Sequence, residues 1–304
     1  MRRGVWAAAM VLSSLLAGCG GGGSSTGASR PSFSTNYPGL ANITTATSLS
    51  TLADSAVVNP GPSAASASGG GASTAIQWSN TLIRVQVTNV GGQSPTMDFP
   101  LSSLSNITVG GVPFIGTLAP VVGTAAGSSQ TILTTQIGVG SNSFNHTVLG
   151  RWTYQTTLAP VVNTVGFFVA GTETRQQDLP TAGSATYTGR LLANLYQTGS
   201  PIGTVVGNAT GNANFASGLF TFSTSNSTLN GALDPSVNVT GSLSRPTGIP
   251  ASNAWTGNIQ TDATRNLSGS INGRCYGPSC VEFGGTFFMS APGQQMLGGI
   301  LLRQ

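Results

Sequence analysis

The chain has no lysine: all eleven basic residues are arginines, and only seven acidic residues oppose them in 304 positions. Charged side chains make up 6% of the sequence, against roughly 25% in an ordinary soluble domain, so solubility must rest on Ser, Thr, Asn and Gln. No run of basic residues and no basic patch interleaved with aromatics occurs, which argues against nucleic acid as a partner. The formal charge of +4 falls to +2 once Arg2 and Arg3 are set aside, too small to identify any partner by charge.

Histidine and cysteine are equally scarce. His146 is the single histidine, so a Ser-His-acid arrangement would have to use it, and no G-x-S-x-G nucleophile elbow is present. A loop histidine with ordinary hydrogen bonds is the expected role. Glu173 and Asp178 are the one close pair of acids and flank Arg175. Paired carboxylates can perform acid/base chemistry, but a solvated loop with a local ion pair is the simpler reading. Glycines in "VGGVPFIGT" lack the G-x-x-x-x-G-K-[ST] phosphate loop. The sequence therefore predicts a non-enzyme with no catalytic residue, no metal site and no cofactor.

The three cysteines have separate uses. Cys19 follows a cationic start (Arg2, Arg3), a short apolar stretch from Val5 to Ala17, and small residues. That stretch falls short of the roughly 20 residues a spanning helix needs. Leu16-Ala17-Gly18-Cys19 resembles the lipobox of bacterial lipoproteins. The resemblance implies removal of residues 1–18 and acylation of Cys19 with palmitate-type chains, several of which hold a protein durably to a membrane. The alternative is an ordinary cleaved signal with an incidental cysteine. Retained inner-membrane lipoproteins have Asp after this cysteine; here Gly20 follows, implying an outer-membrane location and, in one form, the cell surface. Cys275 and Cys280 enclose Tyr-Gly-Pro-Ser and, with Cys19 consumed by lipid, are expected to form a local disulfide. It would fix a hairpin and contribute about 2 kcal/mol. A redox pair lacks Cys-x-x-Cys spacing, and a zinc site lacks histidine ligands.

What the sequence has in excess is glycine, 43 residues or about twice the usual share, and alternation of period two. Residues 20–29 and "NPGPSAASASGGGAST" at 59–74 read as flexible linker. Treated as one flexible tether, residues 20–75 would span about 40 Å. Phe33, Tyr37, Leu40 and Ile43 lie between the two stretches without strand periodicity. In "TLIRVQVTNVGG", Ile83, Val85 and Val87 alternate with Arg84, Gln86 and Thr88. Tyr187, Leu191, Ala193 and Leu195 share one face of a later run, as do Phe283, Phe287 and Met289. Turn signals such as Gly199-Ser200-Pro201 and Asp234-Pro235 separate the runs, and no segment has amphipathic helix spacing with caps. The pattern predicts an all-β antiparallel sandwich or barrel. "TLAPVV" occurs at 117–122 and 157–162, read as recurring strand-and-turn chemistry and not as a structural repeat.

"DLPTAGSATYTGRL" at 178–191, "GNATGNANFASGLFTF" at 207–222 and the ending "EFGGTFFMSAPGQQMLGGILLRQ" resemble the β-barrel domain of transferrin-binding protein B and factor H-binding lipoproteins. The resemblance covers residues 150–304 and implies an eight-stranded antiparallel barrel preceded by a smaller β-rich handle at 76–149, with residues 19–75 as lipidated linker. It also implies capture of an extracellular protein or iron carrier by a lipid-anchored surface protein. Trp152, Tyr154, Trp255 and Tyr276 are candidates for exposed contact aromatics or for core positions. The chain has length for one lobe where transferrin-binding protein B has two, and its last strand carries Gly298-Gly299-Ile300 in place of the family's usual Gly-Phe close. Two other readings remain open: a structural or assembly lipoprotein of the outer membrane, and a membrane-spanning eight-stranded barrel, which would require an apolar outer belt.

Overall fold

The computed structural model describes residues 37–58, 73–88, 94–122, 128–137, 144–156, 163–197, 200–245 and 252–304. Cys19 and the signal, and the second "TLAPVV" copy, lie outside them. The described residues are all-β with a few 3₁₀ turns. Ten strands form a first, curled sheet: β1 (Thr47–Val58), β2 (Ser73–Trp78), β3 (Leu82–Thr88), β4 (Thr96–Pro100), β5 (Ser105–Val109), β6 (Val112–Gly116), β7 (Val121–Val122), β8 (Ser128–Thr135), β9 (Thr147–Thr156) and β10 (Asn163–Gly171). Nine form the second: β11 (Ser184–Gln197), β12 (Ser200–Asn214), β13 (Leu219–Leu229), β14 (Ala232–Leu233), β15 (Val239–Ser244), β16 (Trp255–Thr261), β17 (Ser268–Tyr276), β18 (Glu282–Ala291) and β19 (Gln294–Arg303).

The second sheet is a closed, up-and-down barrel of eight strands, with β14 as a short flap on β13. Each strand pairs with the next, and closure comes from β11 pairing with β19 from Thr188↔Arg303 to Gln197↔Gln294. Closure places Gly298 and Gly299 opposite Ala193 and Leu192. Alternation explains the interior: Tyr187, Leu191, Leu195, Phe220, Leu243, Trp255, Phe283 and Phe287 all point inward and are fully buried. Eight strands leave a lumen that such side chains just fill.

The free outer wall is polar. Thr221, Ser223, Thr240, Ser242, Asn258 and Gln260 alternate with the core residues of β13, β15 and β16 and are exposed. A membrane-spanning barrel has the opposite polarity, an apolar belt outside. That reading is overturned.

In the handle the sheet order is β4-β3-β2-β1-β10-β9-β8-β6-β5. The two ends of this order, β4 and β5, are joined by Leu101–Leu104 alone. Five peptide steps reach at most about 18 Å, so the sheet has to curl until its ends approach. Inside the curl, Ile76, Trp78, Ile83, Val85, Val87, Phe99, Trp152 and Phe168 make a second core. Leu40 and Ile43 close one end of it, with Trp78 Nε1 donating to the Leu40 carbonyl at 3.0 Å and the Leu40 N–H donating to Asn145 at 2.6 Å.

Sheet membership differs from the expected ranges at two points. The segment expected as linker contains β1, whose Ser/Thr-rich sequence hides a strand that pairs with β10 from Ser50↔Gly171 to Val58↔Asn163. The expected division at 149/150 falls inside β9, and both β9 and β10 belong to the handle sheet; the barrel's first strand begins at Ser184. Local pattern cannot show this, because a strand carries no mark of the sheet it joins.

Candidate functional site

Handle and barrel meet through their outer faces. Phe114, Leu133, Leu149, Phe167 and Val169 of the handle pack on Leu192, Tyr196, Val206, Leu297 and Leu301 of the barrel as a third apolar core. This is why β11 and β19 read as unbroken runs, "LLANLY" and "MLGGILL": one parity fills the barrel and the other meets the handle. A strand buried on both faces loses its alternation. The arrangement fixes the two bodies against each other.

Half-buried Arg151 of β9 reaches across this junction. Its guanidinium donates to Asn194 Oδ1 at 3.0 Å and Thr204 Oγ1 at 2.8 Å on the barrel, with no carboxylate among its partners. Burial lowers its pKa, and the neighbouring Tyr196 acts the other way. Arginine still stays charged, so the barrel amide and hydroxyl dipoles stabilise a cation within an otherwise apolar contact.

A polar cluster forms the rim. Glu173 Oε2 accepts from Ser50 Oγ at 2.5 Å and from Arg274 at 2.7 Å, joining the handle to β17. Asn253 ties the same group into the barrel: its amide nitrogen donates to Glu173 Oε1 at 3.0 Å and to the Cys275 carbonyl at 2.9 Å, while its Oδ1 accepts from the Cys275 N–H at 2.7 Å. Beside the cluster opens a cleft of about 420 Å3 lined by Asn42, Thr45, Thr47, Ser48, Ser50 and Glu173 among others. It offers hydroxyls, amides and one carboxylate, a surface suited to hydrogen-bonding recognition. The Glu173–Arg274 pair is about one-third exposed and contributes about 0–1 kcal/mol.

Two expectations change here, and the open choice for the four aromatics is resolved in favour of the core. Glu173 pairs with Arg274 and not with Arg175. Asp178 is buried, not solvated, and accepts from the Tyr37 hydroxyl at 2.6 Å; the same Tyr37 oxygen accepts from the Arg175 N–H at 2.8 Å. Arg175 lies over the Tyr37 ring at 5.6 Å. None of the four aromatic candidates is a surface contact: Trp152 and Tyr154 are in the handle core, Trp255 in the barrel core, and Tyr276 in the junction. His146 is partly buried beside Gly277, and burial lowers its pKa while the Pro38 carbonyl opposes this.

Cys275 and Cys280 form the disulfide, with Cα atoms 4.7 Å apart. It locks the turn between β17 and β18 against the junction, where Gly277 has φ of +70° and a Cβ on it would lie 2.5 Å from His146. Thr174 Oγ1 donates to the Gly277 carbonyl at 2.6 Å, and the Tyr187 hydroxyl donates to the Cys280 carbonyl at 2.7 Å from inside the barrel. The staple thus holds a turn that both bodies touch.

Next to it is a residue that the sequence did not single out. Glu282 is buried, and its two carboxylate oxygens accept from the backbone N–H groups of Asn145 at 2.6 Å and His146 at 3.0 Å, anchoring the start of β9. Burial pushes this carboxyl above the usual carboxylate range, opposed by hydrogen bonds from Asn145, His146 and Thr147. With the folded-state value raised, the folded chain takes up a proton before the unfolded chain as pH falls toward the ordinary value of 4.5. This group therefore adds stability on acidification through that window, and the contribution is lost as pH rises through the folded-state value. We expect wild type to gain stability relative to Glu282→Gln as pH is lowered there, read by urea unfolding of both proteins across pH. The opposite trend would show a lowered carboxyl instead.

No protein-family model and no curated protein matches the chain. Among solved structures, a point variant of transferrin-binding protein B from Haemophilus parasuis Hp5 superposes with a TM-score of 0.51 at 12% identity, over 84% of this chain and 45% of that one. The chain thus spans about half the length of that protein. Transferrin-binding protein B from serogroup B Neisseria meningitidis matches with a TM-score of 0.40 at 11% identity over 76% of this chain and 52% of that one. The N-lobe of lactoferrin binding protein B of Moraxella bovis matches with a TM-score of 0.37 at 13% identity over 56% and 79% respectively. Curled handle, sealed junction and closed barrel together give this chain a fold like that of transferrin-binding protein B.

Proposed function

We propose that the chain is a lipoprotein, acylated at Cys19 after removal of residues 1–18, that displays its handle and barrel from the outer membrane and binds an extracellular ligand without catalysis. The observation that carries this reading is the handle-and-barrel lobe shared with a transferrin-binding protein. The polar outer wall of the barrel supports it, since such a wall belongs in water and leaves attachment to an anchor. The hydroxyl-rich cleft beside Glu173 is the surface we assign to recognition, and the ligand class is a protein or an iron carrier.

Mass spectrometry of protein purified from its native host should find acyl groups on Cys19 and no residues before it. Protease added to intact cells should cleave the lobe, and the immobilised protein should retain a partner from host fluid. Acylation with full protection from protease would replace surface capture by an envelope-assembly role. An unmodified Cys19 would remove the anchored reading altogether.

A further inference from the structure

The make-up of the cleft beside Glu173 narrows what it can hold. Its volume of about 420 Å3 lies within the range of about 300–1,000 Å3 usual for small-molecule sites. The register explains the opening. Strand β10 ends at Gly171, opposite Ser50, so Thr47, Ser48 and Leu49 of β1 project past it and pair with β2 alone among the described strands. On the facing side the chain has turned toward the barrel: the Thr172 carbonyl accepts from the Gly277 N–H at 2.8 Å, and Glu173 bridges Tyr276. The cleft lies between the two, and residues 42–45 complete its lining.

Glu173 is the one charged residue in that lining, and its carboxylate is spent on Ser50, Arg274 and Asn253. A cation would have to compete with Arg274, and an anion would meet a carboxylate. What is free is neutral. Among the described residues the Asn42 amide and the hydroxyls of Thr44 and Ser48 have no hydrogen-bond partner, and all three side chains are exposed. Pro38, Ile43 and Leu49 add apolar surface to the same space. A peptide strand laid along β1 finds only three projecting residues, which alternate in direction, whereas an ordinary strand runs to about five or six. A sugar ring fits the inventory better: each of its hydroxyls donates and accepts, as do the amide and hydroxyls facing it, and its C–H faces suit the apolar residues.

We propose that this cleft takes a neutral pyranose residue of an extracellular glycan. The inference rests on the assignment of the cleft to recognition and names the chemistry recognised there.

Ligand-detected NMR titration of the full chain with the methyl glycosides of glucose, galactose, mannose and N-acetylglucosamine tests it. At least one should bind saturably with a dissociation constant on the order of 1–10 mM, and methyl glucuronide, which carries a carboxylate, about tenfold more weakly than the glucoside. The double variant Asn42→Ala and Ser48→Ala should weaken binding about tenfold, and either single variant should act in the same direction. Thr221→Ala with Ser242→Ala, exposed hydroxyls on the free wall of the barrel, should leave it unchanged. No binding of any of the four glycosides at concentrations on the order of 100 mM would overturn the site, as would binding that the Asn42 and Ser48 variants do not alter, or a glucuronide that binds as tightly as the glucoside. Capture from host fluid is read separately. Glycosides that bind while no partner is retained leave the sugar site standing and remove the capture reading; a partner retained equally after glycosidase treatment, with no glycoside bound, does the reverse.

Discussion

Replacing Phe283 by alanine should destabilise the folded chain by about 3–5 kcal/mol, the range for truncating a large buried aromatic. Its ring is stacked on Phe220 with centroids 3.9 Å apart and planes 13° from parallel, and meets the edge of Trp255 at 6.1 Å. Tyr187 extends the group, 5.6 Å from Phe220. These four side chains come from β11, β13, β16 and β18, so the stack spans the lumen and ties opposite walls together. Alanine would leave a hole that seven other strands cannot close, because closure of the barrel fixes its diameter. Urea unfolding followed by tryptophan fluorescence gives the loss; a value under about 1 kcal/mol would mean that the wall collapses onto the gap.

The second large effect is expected at Gly166. It faces Trp152 across the β9–β10 pair, and a Cβ placed there would lie 2.2 Å from Trp152 Cε2. Trp152 is fully buried in the handle core and has no room to retreat. Gly166→Ala should therefore cost about 3 kcal/mol, at the upper end for overpacking, and valine more. The same substitution in a Trp152→Leu background should cost markedly less, since the obstructing ring is gone. Equal costs in both backgrounds would show that the backbone, and not the indole, sets the penalty. Two strand positions further, Phe168 covers Gly150 in the same way. The aromatic of one strand fills the surface left bare by the glycine of the other, a device that both pins register and limits substitution.

Such pairings account for what sequence reading could and could not reach. In β3 the alternation of Ile83, Val85 and Val87 identified a half-buried strand because one of its faces meets water. Strands β9, β10, β18 and β19 keep both faces buried over much of their length, so periodicity there gave only one of two packing partners. Glu282 and Arg151 were missed for a related reason. Each is a lone charged residue in an apolar run, and its partners are backbone N–H groups or neutral side chains more than 40 positions away. The one available signal was the charge itself, set within "CVEFGG" and "LGRWTY". A charge in a run of buried residues asks for a partner, but does not name it. For the aromatic candidates, alternation placed Trp152 with Tyr154 on one face, and the curl of the sheet decided that this face is core.

The sequence by itself determined an all-β chain, the inward face of most strands, the positions of its turns and the pairing of Cys275 with Cys280. These follow from local causes: steric alternation, turn chemistry and short loop closure. Only the tertiary structure decided that β1, β9 and β10 belong to the handle, that β19 closes on β11, and that Arg151 of the handle meets Asn194 and Thr204 of the barrel. Each depends on which strand edges meet, and hydrogen-bonding edges are chemically alike along the whole chain. The choice among them is made by burying three apolar surfaces at once, a condition that no segment can express alone.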